Sequence, residues 1–322
     1  MVIFRLANRK EAIVGMANIM VGVSSWTEAT LVKGGKFYPP WAKTAETRLN
    51  YYASQFPIVE VDSTYYGLPN ELTSMLWVKR TPEKFVFDIK AFRLFTQHQT
   101  IPIVLPKDIR DALPKTLSVR KNIYFRDLPR ELLDEVWKLF KDALQPLYRT
   151  GKLGVVLFQF PSWFFPGNEQ REYILSCKEK LRPYQLAVEF RHGSWVSEKN
   201  IDRTMSFLAI NKLAYVCVDE PQGFNSSVPP VIAATADVSV IRFHGRNKGA
   251  WERDNAAASG RFNYLYNDNE LREWQPKINE LAGKTKQLHV IFNNCYDDKA
   301  IQNARQTKLL IDQLRSTSPE YS

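Results

Sequence analysis

Eight short apolar runs punctuate the chain: residues 20–24 (MVGVS), 58–62 (IVEVD), 85–90 (FVFDIK), 153–159 (LGVVLFQ), 186–190 (LAVEF), 213–218 (LAYVCV), 238–243 (VSVIRF) and 287–292 (QLHVIF). They are dense in Val, Ile, Leu and Phe, which predicts strands covered on both faces and therefore parallel. Helical periodicity fills the gaps. Leu49, Tyr52, Ala53 and Phe56 share one face, as do Leu72, Met75 and Leu76. Leu133, Val136, Trp137, Phe140 and Leu144 make a longer stripe, followed by Ile201, Met205 and Leu208, by Leu271, Trp274, Ile278 and Leu281, and by Ala304, Ile311 and Leu314. Each stripe is expected to pack against the strands. Residues 219–237, with Pro229 and Pro230 side by side, predict a loop where a helix would otherwise stand.

Strands alternating with helices predict an α/β fold, a single (β/α)8 TIM-type barrel over residues 20–322. The runner-up, an open doubly wound sheet, would carry a glycine-rich phosphate loop after its first strand. Here GVSSW follows instead, and no nucleotide-cofactor motif occurs. The stretch between the third and fourth strands is too long for a loop. Its segment IPIVLPKDIRDALPKTLS predicts an extended, proline-punctuated insertion, about 98–150 in all, that ends in a helix over 130–149 and covers one side of the barrel mouth. Residues 1–19 are expected to be an N-terminal extension, with Met16 or Met20 as the natural start.

Polar residues collect at the late ends of the strands, the end at which barrels of this class build their sites. The first strand leads into Ser24 and Trp26, and the second into Glu60, Asp62, Thr64 and Tyr66. The third ends at Asp88 and Lys90, the fourth at Gln159, the fifth at Glu189, Arg191 and His192. The sixth gives Asp219 and Glu220, the seventh Arg242, His244 and Arg246, and the eighth Asn293 and Asn294. Because strand residues two apart share a face, Glu60 goes with Asp62, Glu189 with Arg191, and Arg242 with His244. Buried charges of this kind must be paired or solvated, so a structural ion pair and an active site are competing readings of Glu189 and Arg191. Catalytic candidates are Glu60, Lys90, Glu189 and His244; the other residues at these ends, Asp88, Asp219 and Glu220 apart, are binding candidates. His98 is placed to reach the mouth, whereas His289, inside a strand, fits a core histidine.

Composition adds a preference for anionic partners: the net charge is +10 and the pI about 9.4. The excess is dispersed; even in residues 107–149 ten basic side chains mix with seven acidic ones. The leading expectation is an enzyme acting on an anionic or phosphorylated small molecule by general acid/base chemistry. The alternatives are a nucleic-acid-binding or nuclease-like barrel and a non-catalytic ligand-binding or scaffold protein. No metal ligands are assigned, since neither HxH nor HExxH occurs, but a divalent metal stays open because imidazoles and carboxylates converge. Three widely spaced cysteines, Cys177, Cys217 and Cys295, argue against a disulfide framework and favour a cytoplasmic setting. No apolar run approaches the ~20 residues of a membrane span.

Nine stretches, in order, carry a resemblance: VGVSSW, FYPPW, YYASQFPIVEVDSTYYGLP, RTPEKFVFDIKA, LGVVLFQFP, LAVEFRHGSW, IRFHGR, YLYNDNELREW and VIFNN. They resemble the DUF72 family (the YecE-like proteins) over roughly residues 20–315. The resemblance implies a TIM barrel, with the insertion of the family's larger members, and no established reaction. It also implies a glycine where Ser25 stands and often an asparagine where Asp62 stands, while Glu60, Thr64 and Tyr66 match the family pattern.

Overall fold

Strands with two apolar faces need cover on both sides, and a closed barrel inside a ring of helices supplies it. The structure, a computed structural model, describes residues 17–224, 226–251 and 258–317. Its strands are β1 (Asn18–Ser24), β2 (Ile58–Val61), β3 (Val86–Lys90), β4 (Leu153–Gln159), β5 (Leu186–Glu189), β6 (Ala214–Asp219), β7 (Val238–Phe243) and β8 (Gln287–Phe292). Each pairs in parallel with the next, and β8 returns to β1, closing the TIM-type barrel. β1 starts at Asn18, two residues ahead of the expected boundary, and Met20 lies in the barrel core beside Ile58 and Ile291. The expected extension otherwise falls on residues outside those described.

Register sets which side chains face the axis. Ser24 pairs with Glu60, Glu60 with Asp88, Gln159 with Glu189, and Val218 with Arg242. Contacts between strands that are not neighbours confirm the inward direction, since only the interior joins them. Arg242 of β7 reaches Glu60 of β2 and Glu189 of β5, and His289 of β8 reaches Asp88 of β3. The Asp88–His289 contact also needs Gly154, where a Cβ would lie 2.3 Å from Asp88 Oδ1 and 3.0 Å from His289 Cε1.

Most predicted stripes do face the strands. Leu49 and Tyr52 of the helix Ala45–Gln55 are buried, as are Val136, Trp137 and Phe140 of Arg130–Ala143. So are Met205 and Leu208 of Ile201–Ile210, Trp274 and Ile278 of Asp268–Ala282, and Ala304 and Ile311 of Lys299–Thr317. The side chain of Leu314 lies outside those described. The helix Glu71–Lys79 overturns its expected stripe: Ser74 and Trp77 are buried, while Leu72 and Met75 are exposed. Trp77 wins the inward place because it stacks on Phe87 and meets Trp26 edge-on, and that fixes the helix's rotation.

The insertion is also a correction. It is a chain of short helical turns rather than an extended strap: Pro102–Val104, Lys107–Asp111, Lys115–Ser118 and Phe125–Asp127. Its prolines start turns instead of breaking them. Pro102 occupies the first position of one, and Pro106, Pro114 and Pro129 are N-caps, places where a missing N–H costs nothing. Between β6 and β7 the described residues form no helix, as the paired prolines predict.

Candidate functional site

At the C-terminal ends of the strands a cavity of about 330 Å³ is lined by Asp62, Tyr65, Tyr66, Lys90, His98, Gln159, Trp163, Arg191, Trp251, Arg261, Phe262 and Asn293, among others. That is the size of a small-molecule site. A larger groove, about 410 Å³, lies at the opposite end around Ile19, Pro57 and Phe85. Its walls carry Lys84, Lys308 and Asp312 but no buried ionic network like the one at the mouth.

The cavity rests on a buried ionic floor. Arg242 is fully buried and donates from Nε to Glu60 Oε2 at 2.8 Å, from Nη2 to Glu60 Oε1 at 2.5 Å, and from Nη1 to Glu189 Oε2 at 2.5 Å. Glu189 Oε1 accepts from Gln159 Nε2 at 2.6 Å, His244 Nε2 at 3.1 Å and Arg191 Nη1 at 3.3 Å. Burial alone would raise its pKa, but Arg242, His244 and Arg191 outweigh burial and hold it well below the ordinary carboxyl range. Glu189 is therefore a permanent anion that fixes the geometry of its donors. Glu60 goes the other way: burial pushes it up to about 7 against the pull of Arg242.

His244 is fully buried. Its Nδ1 meets Asn293 Nδ2 at 2.9 Å, which makes Nδ1 the acceptor and leaves the proton on Nε2, facing Glu189. Burial lowers its pKa to about 4, with the Glu189 carboxylate opposing, so the ring is neutral at physiological pH. His98 lines the cavity and is likewise neutral, lowered to about 3 by burial and by Lys90, Arg93 and Arg191.

Above the floor Asp62, Lys90, Arg191 and Arg261 bring charge to the cavity. Lys90 Nζ lies 3.4 Å from Asp62 Oδ1 and 4.9 Å from the centre of the Tyr65 ring. Arg191 donates to Glu220 at 2.6 Å and lies 4.9 Å from the centre of the Trp251 ring. Ser24 Oγ sits between two carboxyls, 2.8 Å from Glu60 Oε1 and 2.5 Å from Asp62 Oδ2. Glu220 is pushed up to about 7 by burial, with Arg191 opposing. Thr64 ties the turn after β2 to β3 by donating to the Lys90 carbonyl at 2.6 Å, with the Val61 carbonyl also at 3.0 Å, which sets the height of Lys90.

The remaining candidates divide by location. Gln159, Asn293 and Tyr66 line the cavity, and Tyr66 is 57% exposed. His192 instead caps the turn Gly193–Val196 through Ser194 and packs against Phe165. Asn294 is buried and donates to Tyr264 and Asn303. Trp26 is buried against Trp77 and Phe87, in the layer between strands and helices. Arg246 faces the same layer, held by Asp219, Glu270 and Glu273, and Asp219 also accepts from Tyr266 and Trp274. The aromatic walls Tyr65, Trp163, Trp251 and Phe262 escaped the sequence reading. Trp163 stands four residues past Gln159, in reach of a strand-end reading, whereas Trp251 and Phe262 lie in a long non-periodic connection that carries no such signal.

Among the described residues no three His, Cys, Asp or Glu side chains are disposed to hold a metal ion. The mouth carboxylates are turned toward guanidinium, ammonium and hydroxyl groups instead.

A family model described as "protein of unknown function DUF72" matches residues 20–321. The chain belongs to the DUF72 family. It is 33% identical over 299 residues to the UPF0759 protein YunF of Bacillus subtilis (strain 168), covering 91% of this chain and 95% of that protein. A solved DUF72 family protein from Thermotoga maritima MSB8 superposes with a TM-score of 0.71 at 29% identity, over 92% of this chain and 99% of that one. Another, from Enterococcus faecalis V583, gives 0.73 at 26% identity, over 91% and 95%. The DUF72 relationship thus accounts for the barrel from β1 to the C-terminal helix. Ser25, where the family resemblance implies glycine, has φ 66°, a left-handed backbone that glycine adopts without strain.

Proposed function

We propose that this DUF72 protein is an enzyme that binds a small anionic molecule at the C-terminal mouth and acts on it by acid/base chemistry. One observation carries the reading: Lys90 and Arg191 open into one small cavity beside the carboxylate of Asp62. Two cations whose positions are fixed by neighbouring carboxylates and ring faces form a preorganised anion clamp. The Arg242–Glu60–Glu189 floor keeps that clamp rigid at no cost in reorganisation when a ligand arrives. An anion would insert between Lys90 and Arg191 and share their pairing with Asp62 and Glu220. Net positive charge supports its approach.

A nucleic-acid surface draws no comparable support, because Lys90 and Arg191 are each paired with a carboxylate and the cavity is of small-molecule size. Three free cysteines fit a reducing, cytoplasmic setting.

The test is calorimetric titration of the purified protein with orthophosphate and a panel of phosphorylated and carboxylated metabolites. Lys90→Ala and Arg191→Ala are each expected to weaken the best anion by about tenfold or more, about 1.4 kcal/mol, with unchanged circular dichroism. The proposal fails if folded variants bind as the wild type does, or if nothing in the panel binds at millimolar concentration.

A further inference from the structure

Within the ion-pair network of the mouth, four carboxyls meet three cations: Arg242 serves Glu60 and Glu189, Lys90 serves Asp62, and Arg191 serves Glu189 and Glu220. His244 contributes no charge. Buried carboxyls in such a network are held either by a cation or by a proton, and burial raises two of them, Glu60 and Glu220. The position of Ser24 shows how a proton beside Glu60 is held. Its hydroxyl has one proton, yet it lies within hydrogen-bond distance of carboxyl oxygens on both sides, at 2.8 Å and 2.5 Å. It can donate to one of them only. The other contact is a hydrogen bond only if that carboxyl carries a proton; otherwise two lone pairs face each other.

We infer that Glu60 and Asp62 share a single proton through Ser24, and that Asp62 is the carboxyl that exchanges it with a ligand. Of the two, only Asp62 lines the cavity; its side chain is 26% exposed against 1% for Glu60. Glu60 is the store, Ser24 the relay and Asp62 the working end. The hop balances. Glu60 gives its proton to Ser24 Oγ as Ser24 gives its own to Asp62 Oδ2. A neutral Glu60 and an anionic Asp62 become an anionic Glu60 and a neutral Asp62, with Ser24 unchanged.

The charged and titratable groups facing this pair act together. Arg242 from β7 and Lys90 from β3 favour anions, while Glu189 from β5 balances Arg242. Tyr65 and the buried thiol of Cys295, whose Sγ donates to the Ser24 carbonyl at 2.9 Å, stay neutral because burial raises both. The resting proton belongs on Glu60. Burial raises that carboxyl, whereas for Asp62 the pull of Lys90 and Arg242 exceeds the effect of burial and lowers it. As a coupled pair the two titrate with joint apparent values rather than individual ones.

The inference rests on the proposed function only in giving the proton a ligand to reach; the shared proton itself is tested without one. The test is infrared pH-difference spectroscopy of the full-length protein. In a Glu220→Gln background, which removes the other carboxyl raised to about 7, a carboxylic-acid carbonyl band is expected at slightly acid pH that disappears as pH passes about 7, and that is lost when Glu60→Gln is added. Ser24→Ala keeps both carboxyls and every Arg242 partner, so it decides the matter even if Glu60→Gln does not fold. Removing one hydrogen bond from the singly protonated state should move the midpoint to acid by about one pH unit. The proposal is overturned if the Glu220→Gln protein shows no such band, if the band survives the addition of both Glu60→Gln and Asp62→Asn, or if adding Ser24→Ala leaves the midpoint in place. Lys90→Ala separates the two readings. Loss of orthophosphate binding with the band still present supports both, whereas a band without any anion binding sinks the functional reading alone.

Discussion

Replacing Arg242 with methionine nearly keeps volume and removes the one side chain among the described residues that binds Glu60 and Glu189 together. The larger cost falls on Glu189. In the wild type it is a permanent anion, held well below the ordinary range; in the variant it keeps Gln159, His244 and a longer contact to Arg191. A buried carboxylate that loses its main counter-charge takes up a proton instead. Holding a carboxyl neutral at pH ~7.5, when its unfolded pKa is about 4.3, costs about 4 kcal/mol at 1.36 kcal/mol per unit. That ceiling falls within the ~3–5 kcal/mol typical of broken buried pairs. At pH ~5.5 the same arithmetic leaves only about 2 kcal/mol. The sign follows from proton counting. In the variant the folded pKa of Glu189 lies above its unfolded value, so between those values the native state binds more protons and stability falls as pH rises. Glu60, already near 7 in the wild type, adds little. Urea unfolding at the two pH values, with the slope unchanged, should show Arg242→Met losing roughly two to three times as much stability at the higher pH. Adding Glu189→Gln should recover most of the loss. A loss below about 1 kcal/mol, or one independent of pH, would refute the claim that Arg242 is what keeps Glu189 ionised.

Three further outcomes follow from particular side chains. Glu60 and Glu220 are both raised to about 7 by burial, so wild-type stability should fall as pH climbs from the carboxyl range to neutrality, by on the order of 3 kcal/mol per group; Glu60→Gln should flatten that slope in pH-dependent urea melts, and an unchanged slope would reject the assignment. Ser25→Gly should stabilise by about 1 kcal/mol, because a non-glycine residue at φ 66° carries left-handed strain; a lower urea midpoint would contradict this. Gly154→Ala should destabilise by about 1–3 kcal/mol, since its Cβ would fall 2.3 Å from Asp88 Oδ1 and 2.7 Å from Val86 Cγ1; a thermal midpoint equal to wild type would show that the barrel interior yields more easily than its packing indicates.

The strands were legible because being covered on both faces leaves a plain mark: β4, β7 and β8 start and stop where the apolar runs do. The rotation of the helix Glu71–Lys79 was not. Leu72, Met75 and Leu76 satisfy a helical period, but the decisive contact is a ring stack between Trp77 and Phe87, a tertiary preference that no local period encodes. The insertion misled for a related reason: proline signals an extended chain and a helix start equally well, and only the following turn distinguishes them.

At the site, strand-end position and inward direction proved to be separate matters. Register makes Val218 the inward neighbour of Arg242. Asp219, one residue later, therefore faces outward, and it carries Arg246 into the helix layer with it. One step of parity thus divides residues that looked equivalent in sequence into a cavity and its scaffold. Glu60 and Asp62 show the converse. Parity places both toward the axis, but β2 ends at Val61 and Asp62 begins the turn Ser63–Tyr66. That turn lifts one carboxyl into the cavity while its partner stays in the floor. Asp62 also stands where the family resemblance often implies asparagine, and an asparagine there could not take the relayed proton as a carboxylate does. Asp62→Asn should abolish proton exchange with a bound anion while the Lys90–Arg191 clamp still holds it, a separation that calorimetry in buffers of different ionisation enthalpy reads directly.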